Sequence, residues 1–170
     1  ASEALRGNRE VLLAVLRQNE LALEFASNAS RADREVVLTA VRQTGLALWF
    51  SRLRADRKVV FAAVRRTGAA LQFAAGELSE DREVVLVAVR QDGLALGSSV
   101  FRADRNVVLA AVRRTGAALQ FAAGALQRDR EVVLAAVRQD GDALEFASEA
   151  FRADREVVLT AVRQSGRAWF

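Results

Sequence analysis

One segment is written over and over in this chain, and it limits the fold more than any other feature. It reads Asp33-Arg34-Glu35-Val36-Val37-Leu38-Thr39-Ala40-Val41-Arg42-Gln43, followed by Gly45. It returns at Asp81 to Gly93, Asp129 to Gly141 and Asp154 to Gly166, with looser copies at Asp56 to Gly68 and Asp104 to Gly116. A degraded copy starts at Asn8. Taking the Asp-Arg pair (Asn8-Arg9 in the first case) as a marker, repeats start at 8, 33, 56, 81, 104, 129 and 154. The steps are 25, 23, 25, 23, 25 and 25 residues, giving six full repeats and a truncated seventh. Self-similarity at this period is the signature of a stacked array.

Each repeat reads as two helices. Asp33 is placed to accept from the backbone N–H groups two and three residues on. Glu35 sits in the first turn, where the helix dipole favours an anion, and Arg42 in the last, where it favours a cation. Val36, Val37, Ala40 and Val41 recur at helical spacing, and Leu38 widens the stripe. Gly45 is expected to be the left-handed residue that ends the helix. This first helix has about ten or eleven residues, roughly 16 Å at 1.5 Å per residue. A shorter second helix follows at Leu46 to Phe50, and in a later repeat at Asp142 to Ser148. Small and polar residues lead back to the next Asp.

One repeat offers too few large apolar side chains to offset the entropy of ordering its own backbone. Both faces of its first helix are apolar, so each repeat needs a neighbour on either side. The expected fold is all-α: an αα-solenoid of about seven stacked repeats of 23–25 residues, each a longer helix, a Gly turn and a shorter helix. A single array over residues 1–170 is expected. Because the chain starts within a repeat-like segment, the reading also expects it to be a fragment of a longer one, lacking its true N-terminus and any targeting peptide.

The phrase Asp-Arg-Glu-Val-Val-Leu-Ala-Ala-Val-Arg-Gln-Asp-Gly-Asp-Ala-Leu-Glu-Phe-Ala-Ser at 129–148 resembles the tandem repeat of domain-of-unknown-function family four-one-one-six. The resemblance covers nearly the whole chain. It implies stacked helical repeats, and a protist or algal source. It carries no activity, cofactor or catalytic residue with it.

A second period of 48 residues lies over the first: Val59 to Gly76 is nearly copied at Val107 to Gly124. These alternate repeats carry Lys58 or Asn106 where their neighbours have a first-turn Glu. They end in Arg-Arg-Thr-Gly rather than Arg-Gln-x-Gly. Duplication of a two-repeat block explains the pattern; alternate surroundings would explain it too. Charge is also uneven. Asp104 to Arg128 holds four Arg and one acid, whereas Asp129 to Ala153 holds three Arg and six acids.

The residues exclude much chemistry. The chain has no Cys and no His, hence no disulfide, thiolate or imidazole metal site and no His-dependent catalytic dyad. Its carboxylates recur as helix starts, which points to capping. Lys58 is the only Lys. The Gly residues are spaced at repeat ends, not clustered as in a phosphate loop, and no acidic run matches a calcium loop. No metal, cofactor or small-molecule substrate is expected. No apolar run approaches the roughly 18 residues of a membrane span.

What remains is a non-catalytic scaffold that docks other protein subunits, as a peripheral or linker part of a larger assembly. The alternatives are an RNA-binding helical repeat and Arg-mediated attachment to an acidic membrane surface. Nucleic acid is disfavoured because Arg alternates with acids and the net charge is only +4. The expected contact residues are Trp49, Phe50 and Arg52, then Arg65, Arg66, Arg113 and Arg114, and the apolar pair Trp169 and Phe170. Trp49 stands where other repeats have Glu24, Gln72, Gln120 or Glu145, a solvent-facing position. An exposed Trp there is a contact anchor; the competing reading is that the shorter loop turns it onto a neighbouring repeat. Gly97-Ser98-Ser99, lacking the usual Phe, is expected to be a frayed helix or a place of close approach for a partner.

Overall fold

Each long helix begins where the sequence places an Asp. Asp33 Oδ1 accepts from the amides of Glu35 and Val36 at 2.9 and 3.1 Å. Asp81 and Asp129 repeat the geometry, and Asn8 performs it with its amide oxygen. The computed structural model describes residues 8–166. Their regular secondary structure is all helical, with no strand among them.

The chain divides into two compact units, the first ending at Ala88 and the second starting at Val89. The first holds α1 (Arg9–Leu16), α2 (Asn28–Ala32), α3 (Arg34–Gln43) and α4 (Arg57–Arg66). The boundary falls inside α5 (Arg82–Gln91). The second unit holds α6 (Arg105–Arg114), α7 (Arg130–Gln139), the short α8 (Glu149–Arg152) and α9 (Arg155–Ser165).

The second element of each repeat is tighter than an α-helix. Glu20–Phe25, Gly45–Phe50, Gly68–Phe73, Gly93–Ser98, Gly116–Phe121 and Gly141–Phe146 are all 3₁₀ helices. Their bonds run from i+3 to i, as in Ala47 N–H to Thr44 O at 3.1 Å and Ser51 N–H to Leu48 O at 3.1 Å. Six residues suffice for two turns, because a 3₁₀ helix has three per turn.

Within each unit the long helices form one layer and the 3₁₀ helices another. In the first unit α3 packs on α4, and Gly45–Phe50 on Gly68–Phe73. In the second, α6 packs on α7 and α7 on α9. The 3₁₀ helices of that unit follow the same order. Within each unit, repeats adjacent in sequence are therefore adjacent in space, the packing of an all-α repeat solenoid. The predicted stripe is the core: Val36, Val37, Ala40 and Val41 are fully buried, as are Val59, Val60, Ala63 and Val64. From the 3₁₀ layer, Leu48, Leu71, Leu96 and Leu119 close it. Short side chains on the helices let neighbouring backbones come close.

Gly45 is not the left-handed cap that the sequence led us to expect. The helix α3 ends at Thr44, in extended backbone with φ −135°, and Gly45 opens the 3₁₀ helix. Among the described residues, only Gly76 and Gly166 have positive φ. Gly166 is the expected cap, with φ 65°. What glycine supplies at position 45 is the absence of a side chain. A Cβ there would lie inside van der Waals contact of Ala63 O in the next repeat and 2.8 Å from Thr67 Cβ. Gly116 repeats this against Ala136 O, where a Cβ would stand at 2.6 Å.

Candidate interaction surface

The 3₁₀ layer positions Trp49. Ala47 and Leu48 are fully buried, so the next side chain emerges outward, and Trp49 is 56% exposed. Glu24, Gln72, Gln120 and Glu145 are exposed at the same place. The indole is nevertheless held. Its ring centroid lies 5.2 Å from that of Phe73 in the next repeat, tilted by 53°. The Arg54 guanidinium stands 5.7 Å from the ring centroid. The two readings of Trp49 thus describe one geometry: turned onto a neighbour and open to solvent.

Beside it runs a groove of about 640 Å³ lined by Asn28, Arg31, Trp49, Phe50, Arg52 and Arg54 among others. The Arg52 guanidinium donates to Asn28 Oδ1 at 3.0 Å, and its backbone amide donates to Arg31 O at 2.9 Å. Phe50 is half-buried, and Phe25 one repeat earlier is exposed. The rim is cationic and the floor partly aromatic.

Arg65 and Arg66 belong to the helix layer, at the end of α4, and the fold does not bring them to Trp49. Arg66 Nε donates to Gln43 O at 2.6 Å, satisfying a carbonyl at the end of α3. Arg65 lies over Phe61, 5.8 Å from the ring centroid. The second unit repeats this division of labour. Arg114 Nε donates to Gln91 O at 2.9 Å, and Arg113 pairs with Glu131 at 3.5 Å. Trp169 and Phe170 lie outside the described residues.

Gly97 needs a different reading from the one its sequence invites. Gly93–Ser98 is a regular 3₁₀ helix, and Ser99 after it is buried. A Cβ on Gly97 would stand 3.1 Å from the Phe121 ring. The space belongs to an aromatic side chain of the next repeat rather than to a partner.

A row of Arg residues links repeat to repeat. Arg57 reaches Asp81 and Glu83, Arg105 reaches Asp129 and Glu131, and Arg130 reaches Asp154 and Glu156. Arg34 has Asp56 at 2.9 Å, and Lys58 stands where the second acid would be. The pairing holds the Asp carboxyls below the usual carboxylate range. For Asp81, Asp129 and Asp154 the Arg hydrogen bond is the main cause. For Asp33 it is the Val36 amide. For Asp56 burial pulls upward, and the Val59 amide and Arg34 together outweigh it.

These joints recur over stretches that a single family model recognises. The model described as Domain of unknown function (DUF4116) matches residues 8–54, 56–99, 104–152 and 129–170. The chain belongs to the DUF4116 family. No curated protein matches it, and neither does any solved structure.

Each DUF4116 match spans two successive repeats, in keeping with the 48-residue period. The Arg that follows each capping Asp is the functional residue that sequence reading missed. The Asp-Arg pair marks repeat starts, but nothing local says that its Arg belongs to the following repeat. The clue is the spacing: Arg57 and Asp81 are 24 residues apart, Arg34 and Asp56 are 22. As for chemistry, each described Asp at the start of a long helix is tied to two amides, and most also to an Arg. Among the described residues no helix is long and apolar enough to cross a membrane.

Proposed function

We propose that this DUF4116 chain is a non-catalytic scaffold that docks protein partners through the 3₁₀ layer around Trp49. The observation that carries the proposal is an indole more than half exposed yet fixed in place by Phe73 and Arg54. A pre-positioned Trp loses little side-chain entropy on binding, and Trp is enriched among the residues that dominate interface energy. Phe50 and Arg52 complete a patch of the amphipathic, cationic kind that interfaces favour.

A non-catalytic role is supported by the use of the acids. General acid–base work needs carboxyl groups whose environments push their pKa values apart. The shifted Asp residues all move the same way, downward, through hydrogen bonds from helix-start amides and from Arg side chains.

The test is affinity capture from the native source with the wild-type chain and with Trp49→Glu. Glu occupies the equivalent position at Glu24 and Glu145, so the fold tolerates it. The proposal expects the captured proteins to be lost while circular dichroism is unchanged. Undiminished capture by the variant would remove Trp49 from the docking surface.

A further inference from the structure

The helix layer carries a second surface, distinct from Trp49. A groove of about 560 Å³ runs between α3 and α4, lined by Leu38, Arg42, Lys58, Phe61, Arg65 and Arg66 together with Ala62. It holds four cations and no acid. Among the described residues, none of Arg42, Lys58 and Arg65 takes part in an ion pair. The equivalent groove between α7 and α9, about 690 Å³, is built differently: Glu156 and Gln164 stand among Arg138, Arg155 and Arg163. At the first-turn position Glu35, Glu83, Glu131 and Glu156 are all acids, and Lys58 reverses the sign. At the last position Gln43, Gln91, Gln139 and Gln164 are neutral, and Arg66 adds a charge. Two side chains thus convert a mixed groove into a purely cationic one.

From this charge pattern we infer that the α3–α4 groove binds an acidic, extended peptide segment of a protein partner, with its acids alternating with small apolar residues. Leu38, Ala62 and Phe61 form an apolar floor between the cations. Phe61 is flanked by guanidinium groups, Arg57 at 4.9 Å and Arg65 at 5.8 Å from its centroid. A nucleobase would have to displace one of them to stack on the ring, whereas a carboxylate can meet Arg65 and Lys58 where they already stand. The ten residues of α4 rise about 15 Å, the span of some four or five residues of extended peptide. Alternation suits an extended chain, which turns successive side chains to opposite faces. Arg42, Lys58 and Arg65, which take part in no ion pair among the described residues, also steer an acidic segment toward the groove.

The test uses the purified full chain and a fluorescein-labelled peptide of alternating Glu, Leu, Asp and Ala, followed by anisotropy at low and high salt. Its partner is the double variant Lys58→Glu with Arg66→Gln, residues that neighbouring repeats carry at these positions, with circular dichroism confirming the fold. Binding at low salt, weakened by salt and by about tenfold or more in the double variant, is the expected result. Trp49→Glu should leave this affinity unchanged, which separates the groove from the docking surface proposed above. The inference is overturned if the wild-type chain ignores the peptide at low salt, or if the double variant binds it equally well. It is also overturned if an oligouridine of equal charge binds more tightly than the peptide and is lost in the same variant, which would give the groove to nucleic acid.

Discussion

The amide of Gly45 donates to Thr67 Oγ1 at 3.1 Å, and this bond lays the Gly45 backbone flat against the carbonyl of Ala63. The contact joins the start of one repeat's 3₁₀ helix to the long helix of the next. It leaves no room for even a methyl group.

Gly45→Ala should therefore destabilise the array, by about 1–3 kcal/mol, as overpacking in a closed site does. Gly124→Ala is the control, since nothing lies within 4 Å of a Cβ there. Urea denaturation followed by circular dichroism should show a lowered midpoint for the first variant and an unchanged or slightly raised one for the second.

Acid should loosen the helix starts. The carboxyls of Asp33, Asp56, Asp81, Asp129 and Asp154 are held below their ordinary range in the folded chain. A lowered folded-state pKa means the unfolded chain takes up the proton first. The stabilisation is therefore complete above the unfolded value of about 4 and is lost as pH falls through the folded-state value. Thermal melts across this range should show a falling midpoint. Asp129→Asn, which keeps the cap as Asn8 does, should make the fall shallower.

Arg57 and Arg34 differ in what they hold, and Lys substitutions should expose the difference. Arg57 spans Asp81 and Glu83, which requires the guanidinium fork; among the described acids Arg34 meets only Asp56. A Lys ammonium lacks that fork. At low salt Arg57→Lys should lower the melting midpoint more than Arg34→Lys does. High salt should shrink the gap, because these side chains are solvent-exposed.

Trp49 contributes to its joint as well as to the surface. Trp49→Gln, the residue found at Gln72 and Gln120, removes the ring pair with Phe73 and should cost about 0.5–1.5 kcal/mol. Equilibrium unfolding would measure it. No loss of stability would mean that the ring pair adds nothing to the fold.

The helix starts and the buried stripe were legible in the sequence, whereas the 3₁₀ form of the second helix and the role of Gly45 were not. Asp33 and its equivalents cap where the pattern placed them, and Val36, Val37, Ala40 and Val41 are the buried stripe. Capping and helical periodicity are properties of four to eight consecutive residues, and a chain displays them openly. What stayed hidden lies between repeats. Gly45 follows a helix, as a left-handed cap would, yet its reason for being glycine is a carbonyl 18 residues away. Arg57 looks like a helix-start residue until Asp81 and Glu83 are seen against it. The surface was partly legible: Trp49 stood out because its counterparts are polar, but its seat on Phe73 needed the fold.

Within each unit the guanidinium clasp from one repeat to the next makes the joints variations on the same fitting. A copy that carries the Arg, the Gly and the capping Asp brings both halves of the connector with it. Tandem duplication can then lengthen such a gene in frame without inventing a new interface. Change is left to accumulate in the outward side chains, and this is where Lys58 and Trp49 depart from their neighbours.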